Sequence, residues 1–305
     1  MGKKRVVVLG AGLAGLSAAW HLKRKGFSCQ VFEKESEPGG LCRSKKIGGF
    51  TFDFSGHLLH FRSDYAFKLV KGLLGSNLSG HKRSAWVYSH GVYNRYPFQA
   101  NLYGLPAAIV KECLLGFIRA SKNKHPTGIK KRDFSSWIYQ TFGPGIARHF
   151  MVPYNTKFWT VSPQRLTCEW LDGFIPVPSI SQVVNGSVKK SRRQFGYNSN
   201  FWYPQKGGIR ELPLAMCADI KRINLNCEVT RIDLKKRQIK LANGLKERFD
   251  CLISTLPLPE LGRLISGLPE SVLSSFKKLK WNSIFNLNLG LDGPVGHNRH
   301  WVYFP

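Results

Sequence analysis

The stretch VVVLGAGLAGLSAAWHLKRKGFSCQVFEK, residues 6–34, decides how the chain folds. It opens on Val6, Val7, Val8 and Leu9, an apolar run without polar alternation, as a parallel strand covered on both faces requires. Gly10, Gly12 and Gly15 then fit the spacing G-x-G-x-x-G, and the segment up to Gly26 reads as a helix closed by basic residues and that glycine. A second strand ends in Glu33, eighteen residues after Gly15. Each residue has a mechanical role in such a unit. Gly10 permits a tight turn, Gly12 lets the backbone approach a pyrophosphate at the helix N-terminus, and Gly15 allows helix and strand to pack closely. Glu33 can accept hydrogen bonds from a ribose. Strand, glycines, helix, second strand and acidic terminus, in this order, predict a dinucleotide site.

Working outward, a later segment belongs with this unit. NCEVTRIDLKKRQIKLANGLKERFDCLISTLP (226–257) reads as a strand, a hairpin turning at Asn243-Gly244, and a buried strand. The glycines at 207–208 mark the return into it. Residues 62–200 read as mostly helical: 63–75, 104–120 and 133–143 have helical spacing, with Ser63 and Asp133 as caps. The aromatic, proline-containing stretches between them are where a ligand site is usually built. FDFSGHLLHF (52–61) places His57 and His60 in an apolar run, as metal ligands, core residues or the lining of a cofactor pocket. No cysteine or carboxylate stands at a spacing that completes a metal site with them, so no metal is expected. His60 reads as a core or strand position.

Composition bounds the function classes. A length of 305 residues admits two domains, and 43% apolar content with twenty Phe argues against disorder. The net charge of +28 is dispersed over separate basic runs. It reads as a solvated basic surface, or as attraction for an anionic small-molecule substrate, anionic membrane headgroups or nucleic acid. No helix-turn-helix, zinc-finger or RNP pattern is present, so nucleic acid is not an expected partner. Seven cysteines without CxxC fit packed, reduced thiols in a cytoplasmic protein. The N-terminus is not a signal peptide, and no apolar run is long enough to span a membrane, which leaves peripheral membrane contact open. Oligomeric state is not legible.

EKESEPGGLCRS (33–44), with its second glycine pair, resembles the extended FAD fingerprint of the amine oxidase, protoporphyrinogen oxidase and phytoene desaturase superfamily. The resemblance implies FAD as cofactor, with Gly39 and Gly40 at its phosphates, and Arg43 and Ser44 close by. It also implies that Val229 meets the adenine end by its backbone, that Gly56 passes close to the ring system, and that His57 faces the flavin. Three further stretches resemble the UDP-galactopyranose mutases: FDFSGHLLHF, RYPFQANLYGLP (95–106) and PYNTKFWTVSP (153–163). HWVYFP (300–305) resembles a strand of the mutase antiparallel sheet. This implies a UDP-sugar substrate, a reduced flavin whose N5 is the nucleophile, and an isomerisation without net redox. Tyr96, Phe98, Gln99, Asn155, Lys157 and Trp159 would bind the substrate. Phe98 offers a face for a planar base, Gln99 and Asn155 can donate and accept at a uracil edge, and Lys157 and Trp159 can meet phosphate and sugar.

The sequence departs from the mutase pattern at the diphosphate clamp. After EWL (169–171), where the mutases carry a phosphate-binding arginine, this chain has DGFIPVPSI, with Phe174 and Pro178 near that place. Arg165, Arg192, Arg193 or Arg210 are the candidate substitutes. A second clamp arginine and the last flavin-binding segment would come after residue 305, so the resemblance implies a longer protein. Two enzyme readings therefore stand: a mutase-like isomerase, and an FAD-dependent oxidoreductase of the amine oxidase or desaturase type. A basic piece that binds nucleic acid or an anionic membrane is the non-enzymatic alternative. The expected fold is α/β. It has a split Rossmann-type FAD domain (1–61 plus 201–262), a mostly helical inserted substrate domain (62–200), and the incomplete start of an antiparallel sheet domain (263–305).

Overall fold

In the computed structural model, residues 4–122, 133–171, 174–190 and 199–305 are described. Arg192 and Arg193 lie outside them. The chain divides into two compact units, Met1–Gly80 with Trp202–Gly290, and His81–Phe201 with Leu291–Pro305. The first unit opens with β1 (Val6–Leu9), α1 (Leu13–Arg24), β2 (Cys29–Phe32), β3 (Ser44–Ile47), β4 (Phe50–Asp53) and α2 (Asp64–Leu74). The chain leaves it within β5 (Leu78–Lys82). The second unit holds β6 (Ala85–Ser89), β7 (Val92–Arg95), α3 (Ala107–Lys122), α4 (Phe134–Ile146), α5 (Val152–Trp159) and α6 (Ile180–Val188). After β8 (Asn200–Pro204) the first unit resumes with α7 (Glu211–Cys217), β9 (Ile223–Asn224), β10 (Val229–Asp233), β11 (Gln238–Leu241), β12 (Lys246–Arg248) and β13 (Cys251–Ser254). It ends with α8 (Leu258–Leu264), β14 (Ile265–Ser266) and α9 (Glu270–Lys278), and the second unit closes on β15 (Trp301–Tyr303).

The first unit is built on a parallel sheet in the order β13-β1-β2-β9. The unbroken apolar run of β1 has a direct cause. Val7 and Leu9 pack with Phe32, Ile232 and Ile239, while Val8 packs with Leu16, Ala19, Val31 and Met216. Successive side chains point to opposite faces, and both faces are covered, so neither parity can be polar. A second sheet, β12-β11-β10-β14, supplies Ile232 and Ile239. Its β11–β12 hairpin turns at Asn243-Gly244, with Gly244 at φ +87°. The sequence reading assigned α2 to the inserted region. Its Val70 and Leu74 instead pack with Leu78 and Leu212, and with partly buried Leu13 and Trp202, inside the first unit. Ser63 precedes α2 but makes no side-chain cap bond.

The second unit buries Phe98, Phe117, Phe134, Phe142 and Phe150 in one core. Helices α3 and α4 approach backbone to backbone: a Cβ at Gly145 would lie 2.6 Å from the Cys113 nitrogen. Gly143, at φ +73°, bends α4 just before Pro144. Asp133 caps α4, accepting from the Ser136 amide at 2.9 Å and its hydroxyl at 2.6 Å. A capping box at Ser179 and Gln182 begins α6, a signal the sequence reading did not use. The strand expected at HWVYFP forms as β15, but its pairing is parallel rather than antiparallel. β15 runs parallel to β6, with Trp301 opposite Ala85, whereas β6 and β7 are antiparallel. Residues 280–300 form no regular element.

Candidate functional site

Of the predicted cofactor residues, Gly10, Gly12, Gly15, Glu33, Gly39 and Gly40 gather at the C-terminal end of β1. Gly10 adopts φ +94°, and a Cβ there would lie 2.7 Å from Thr255 Oγ1. Gly15 has no room for a side chain, because a Cβ would run into the Gly10 carbonyl. Gly12 is the N-cap of α1, makes no side-chain cap bond, and no acidic residue occupies the first helical turn. The first amides of α1 therefore face a site that favours an anion. The second glycine loop closes on the first. Gly39 donates to the Ala11 carbonyl at 2.8 Å, and a Cβ at Gly40 would come within 3.2 Å of the Gly12 Cα. Glu33, 7% exposed, accepts from the Ala11 amide at 2.7 Å and the Glu35 amide at 3.0 Å. The backbone beside Val229 reaches the same place, since Cys227 donates to the Glu33 carbonyl at 2.8 Å.

FDFSGHLLHF contributes more through Asp53 than the sequence reading recognised. The Asp53 carboxylate accepts from Ser44 Oγ at 2.6 Å, Tyr203 Oη at 2.6 Å and the Ile209 amide at 3.2 Å. Ser44 in turn accepts from the Arg210 amide at 3.2 Å. A Cβ at Gly208 would lie 2.5 Å from Ser44 Oγ, so a glycine with φ +78° is required there. Burial, with the neighbouring Asp53 carboxylate, holds the Tyr203 phenol well above its ordinary pKa and keeps it a donor. Asp53 thus fastens the second glycine loop to the returning segment at 203–210. Ser44, expected close to the cofactor phosphates, is 2% exposed, and its hydroxyl is engaged by Asp53. Arg43 donates to the Gly40 carbonyl at 2.8 Å and pairs with Glu35 at 3.2 Å. Gly56 is exposed, and His57 Nδ1 lies 2.8 Å from the Ser55 carbonyl. A carbonyl can only accept, so Nδ1 carries a proton, and in the neutral ring Nε2 is left as an acceptor.

The substrate candidates all lie in the second unit, whereas His57 lies in the first. Phe98 is fully buried and stacked on Phe150 at 5.0 Å. This corrects the expectation of an open face: the ring is the first member of a ladder continued by Phe150, Tyr154 and Phe158 at i, i+4 spacing. Gln99 is 2% exposed; its Nε2 donates to the Pro176 carbonyl at 2.9 Å, and its Oε1 is buried without a partner. Asn155 is also buried, with Nδ2 spent on the Met151 carbonyl at 2.7 Å. Lys157 is exposed and donates to the Phe304 carbonyl at 2.9 Å. Trp159 packs edge-on against Trp170 at 5.4 Å, and its Nε1 is buried without a partner. Tyr96 meets Tyr303 at 5.0 Å, and Tyr303 meets Tyr154 at 5.3 Å. Neither Tyr154 nor Tyr303 was singled out from sequence, although i, i+4 aromatic spacing after Phe150 was available as a signal.

Arg148, Tyr139, Val152, Thr156 and Lys157 line an open concavity of about 500 Å³ beside these residues. Arg148 is held there by Glu112, whose carboxyl is lowered by its hydrogen bond with His149 and by the Arg148 charge. Among the described residues no three His, Cys, Asp or Glu side chains gather as a metal site. No described helix is long and apolar enough to cross a membrane. None of the seven cysteines is in a disulfide, and burial pushes the Cys113 thiol up to about 12.

Comparison with known proteins then identifies the glycine cradle. The profile of the flavin containing amine oxidoreductases matches residues 13–302. The chain belongs to that family. It is a flavoenzyme family, and the cradle fits the phosphates of a flavin dinucleotide: closed to side chains at Gly10 and Gly40, open to the amides of α1. The 4,4'-diapolycopene oxygenase of a Methylomonas species is 48% identical over 99% of this chain and 65% of its own length. A crystal structure of reduced UDP-galactopyranose mutase matches with a TM-score of 0.82 and 28% identity, over 90% of this chain and 60% of the other. The zeta-carotene-forming phytoene desaturase of Myxococcus xanthus is 52% identical over 50 residues, 16% of this chain and 10% of its own length. The chain thus spans less than two thirds of the length of each of these proteins.

Proposed function

We propose that this chain carries the flavin-binding and nucleotide-binding parts of an FAD-dependent enzyme that acts on a nucleotide sugar, with the flavin working in its reduced form. The observation that carries this reading is Gln99. Its side chain is buried, its amide nitrogen is anchored on Pro176, and its Oε1 waits for a donor such as the N–H of a uracil edge. The ordered Tyr-Pro-Phe-Gln and Tyr-Asn-x-Lys-x-Trp stretches and the likeness to the mutase structure support it. Lys157, exposed on α5, is available to a phosphate, and Trp159 Nε1 to a sugar oxygen. His57 would present Nε2 as an acceptor toward the ring system. The bound flavin supplies a nucleophilic N5 in this chemistry, so the protein has to bind, orient and stabilise charge.

A second reading is an oxidoreductase acting on an apolar substrate. Its specific support is Phe174, 44% exposed where the mutases carry a phosphate-binding arginine, together with the 48% identity to the carotenoid oxygenase. The test is UDP titration of the flavin-loaded protein with and without dithionite. Affinity for UDP that rises on reduction supports the nucleotide-sugar reading. Flavin reduction by an apolar polyene, with no response to UDP, overturns it in favour of the second.

A further inference from the structure

The three-stranded sheet of the second unit turns one face to the core and the other outward. Trp86 of β6 stands opposite Arg95 of β7, Tyr88 opposite Tyr93, and Val302 of β15 opposite Trp86. Successive residues of a strand point to opposite faces, so these side chains share one face. The other parity goes inward: Val87 belongs to the core, Tyr96 and Tyr303 pack against it, and Asn94 is buried. Phe304, just past β15, extends the outward face, its ring centre 5.5 Å from that of Tyr88. Tyr93 and Phe304 are 44% and 51% exposed, so the face is aromatic where a solvated sheet face is ordinarily polar.

Its charge has one sign. The Arg95 guanidinium lies 5.1 Å from the Trp86 ring centre, and that of Arg299 lies 4.0 Å from Tyr93 and 5.4 Å from Trp86. The Trp86 ring is itself fixed by a hydrogen bond from Nε1 to Ser84 Oγ at 3.0 Å. Stacking holds both guanidiniums at the face without neutralising them. Neither has a carboxylate partner among the described residues, in contrast to Arg43 and Arg148, which are paired with glutamates. Residues 82–111 and 293–305, which carry the three strands, contain no Asp or Glu. Lys190, exposed just after α6, lines the same recess as Trp86, Tyr93 and Arg95.

Three occupants of such a face differ in what they require. A second copy of the chain meeting it face to face would set Arg95 and Arg299 against their own kind, which like charges oppose. A single-stranded nucleic acid needs open ring faces on which bases stack. Here guanidiniums lie over Trp86 and Tyr93, and Tyr88 packs on Tyr93 at 4.7 Å. An anionic membrane surface needs neither symmetry nor open ring faces. It takes aromatic side chains at the level of its headgroups and cations beside its phosphates.

We propose that the outward face of the β15-β6-β7 sheet docks the protein on an anionic phospholipid surface. Tyr93 and Phe304 enter the headgroup layer, Trp86 and Tyr88 support them, and Arg95, Arg299 and Lys190 meet lipid phosphates. The contact is peripheral, made by one sheet face rather than by a spanning segment. It is independent of the nucleotide-sugar reading, whose Tyr96 lies on the opposite parity of β7 and whose other residues lie outside this face.

The test is sedimentation of the full chain with vesicles of equimolar phosphatidylcholine and phosphatidylglycerol, with pure phosphatidylcholine vesicles as a separate arm. Partition onto the anionic vesicles is expected to exceed that onto the neutral ones by about tenfold or more. Arg95→Ser/Arg299→Ser is expected to lower it by about tenfold. Tyr93→Ser/Phe304→Ser, which leaves the charge unchanged, is expected to lower it by about fivefold or more. These two variants alter different side chains of one face, so each tests it should the other fail to fold. Lys235→Ser/Lys236→Ser removes as much charge from the exposed β10–β11 turn of the first unit, and partition should stay within about twofold of the parent. Four results would overturn the proposal. They are no sedimentation with anionic vesicles, an equal loss in the lysine variant, no loss in the aromatic variant, or binding of a single-stranded oligonucleotide instead of vesicles that the arginine variant abolishes.

Discussion

Val6–Leu9 and the stretch from Ile284 to Leu289 belong to the same unit, and both are rich in apolar residues. In the first, no residue is more than 6% exposed. In the second, Ile284, Phe285, Leu287 and Leu289 are 77%, 91%, 69% and 71% exposed. Composition does not separate them; pairing does. β1 has a hydrogen-bonded neighbour on each edge and a packed layer on each face. The later stretch alternates Phe285, Leu287 and Leu289 with Asn286 and Asn288, the pattern of a strand with one apolar face, yet among the described residues it pairs with no strand. Its described attachments include a hydrogen bond from Asn288 Nδ2 to the Asp53 carbonyl at 3.1 Å and the approach of Gly290 to the Phe50 ring. Burial is thus a property of what surrounds a sequence rather than of the sequence.

The comparison is broken most severely at Gly15. Gly15→Val would force α1 away from β1, since even one Cβ collides with the Gly10 carbonyl. The expected cost is about 3 kcal/mol, read from denaturant unfolding, with loss of flavin absorbance after purification. A variant that kept both stability and flavin would show that the helix and strand are not in the close contact described.

Asp53 is next. Asp53→Ala leaves the Ser44 hydroxyl, the Tyr203 phenol and the Ile209 amide without their acceptor. We expect a loss of about 2 kcal/mol and weaker flavin binding, with Asp53→Asn between the variant and the parent. Flavin affinity equal to that of the parent would mean that the second glycine loop does not depend on this junction.

Asp133→Ala should cost about 1 kcal/mol through loss of the α4 cap. Hydrogen bonds from the Ser136 hydroxyl and amide lower the Asp133 carboxyl below its ordinary value of 3.8. A depressed folded-state pKa means the contribution is complete above that value and is lost as pH falls through the lower, folded one. The stability gap between parent and variant should therefore be flat at neutral pH and close only in acid. A gap that grew toward acid would reject the cap.

The dinucleotide unit was legible because its steric demands fall on a residue type that few others can replace: Gly10, Gly39 and Gly40 adopt positive φ, and Gly15 has no room for a Cβ against the Gly10 carbonyl. The second unit was less legible. Phe98 and Asn155 look the same in sequence whether they face a ligand or a core, and only packing against Phe150 and Met151 decided the matter. Asp53 was overlooked beside His57 because its partners at 203 and 209 are distant along the chain. No local spacing announces a bond of that kind.

The smallest expected effect on stability is also the one that sharpens the comparison. Phe285→Ser combined with Leu287→Ser removes two large side chains that are already in water, so the unfolding free energy should change by no more than about 0.5 kcal/mol. The same change in β1 would empty a packed layer. Binding of a hydrophobic dye, by contrast, should fall clearly in the double variant, because contiguous exposed apolar surface is what such a dye reports. If the pair instead destabilises the protein by about 2 kcal/mol or more, as core truncations do, those side chains are buried in solution. The stretch would then have a strand or surface packed on it, as β1 does.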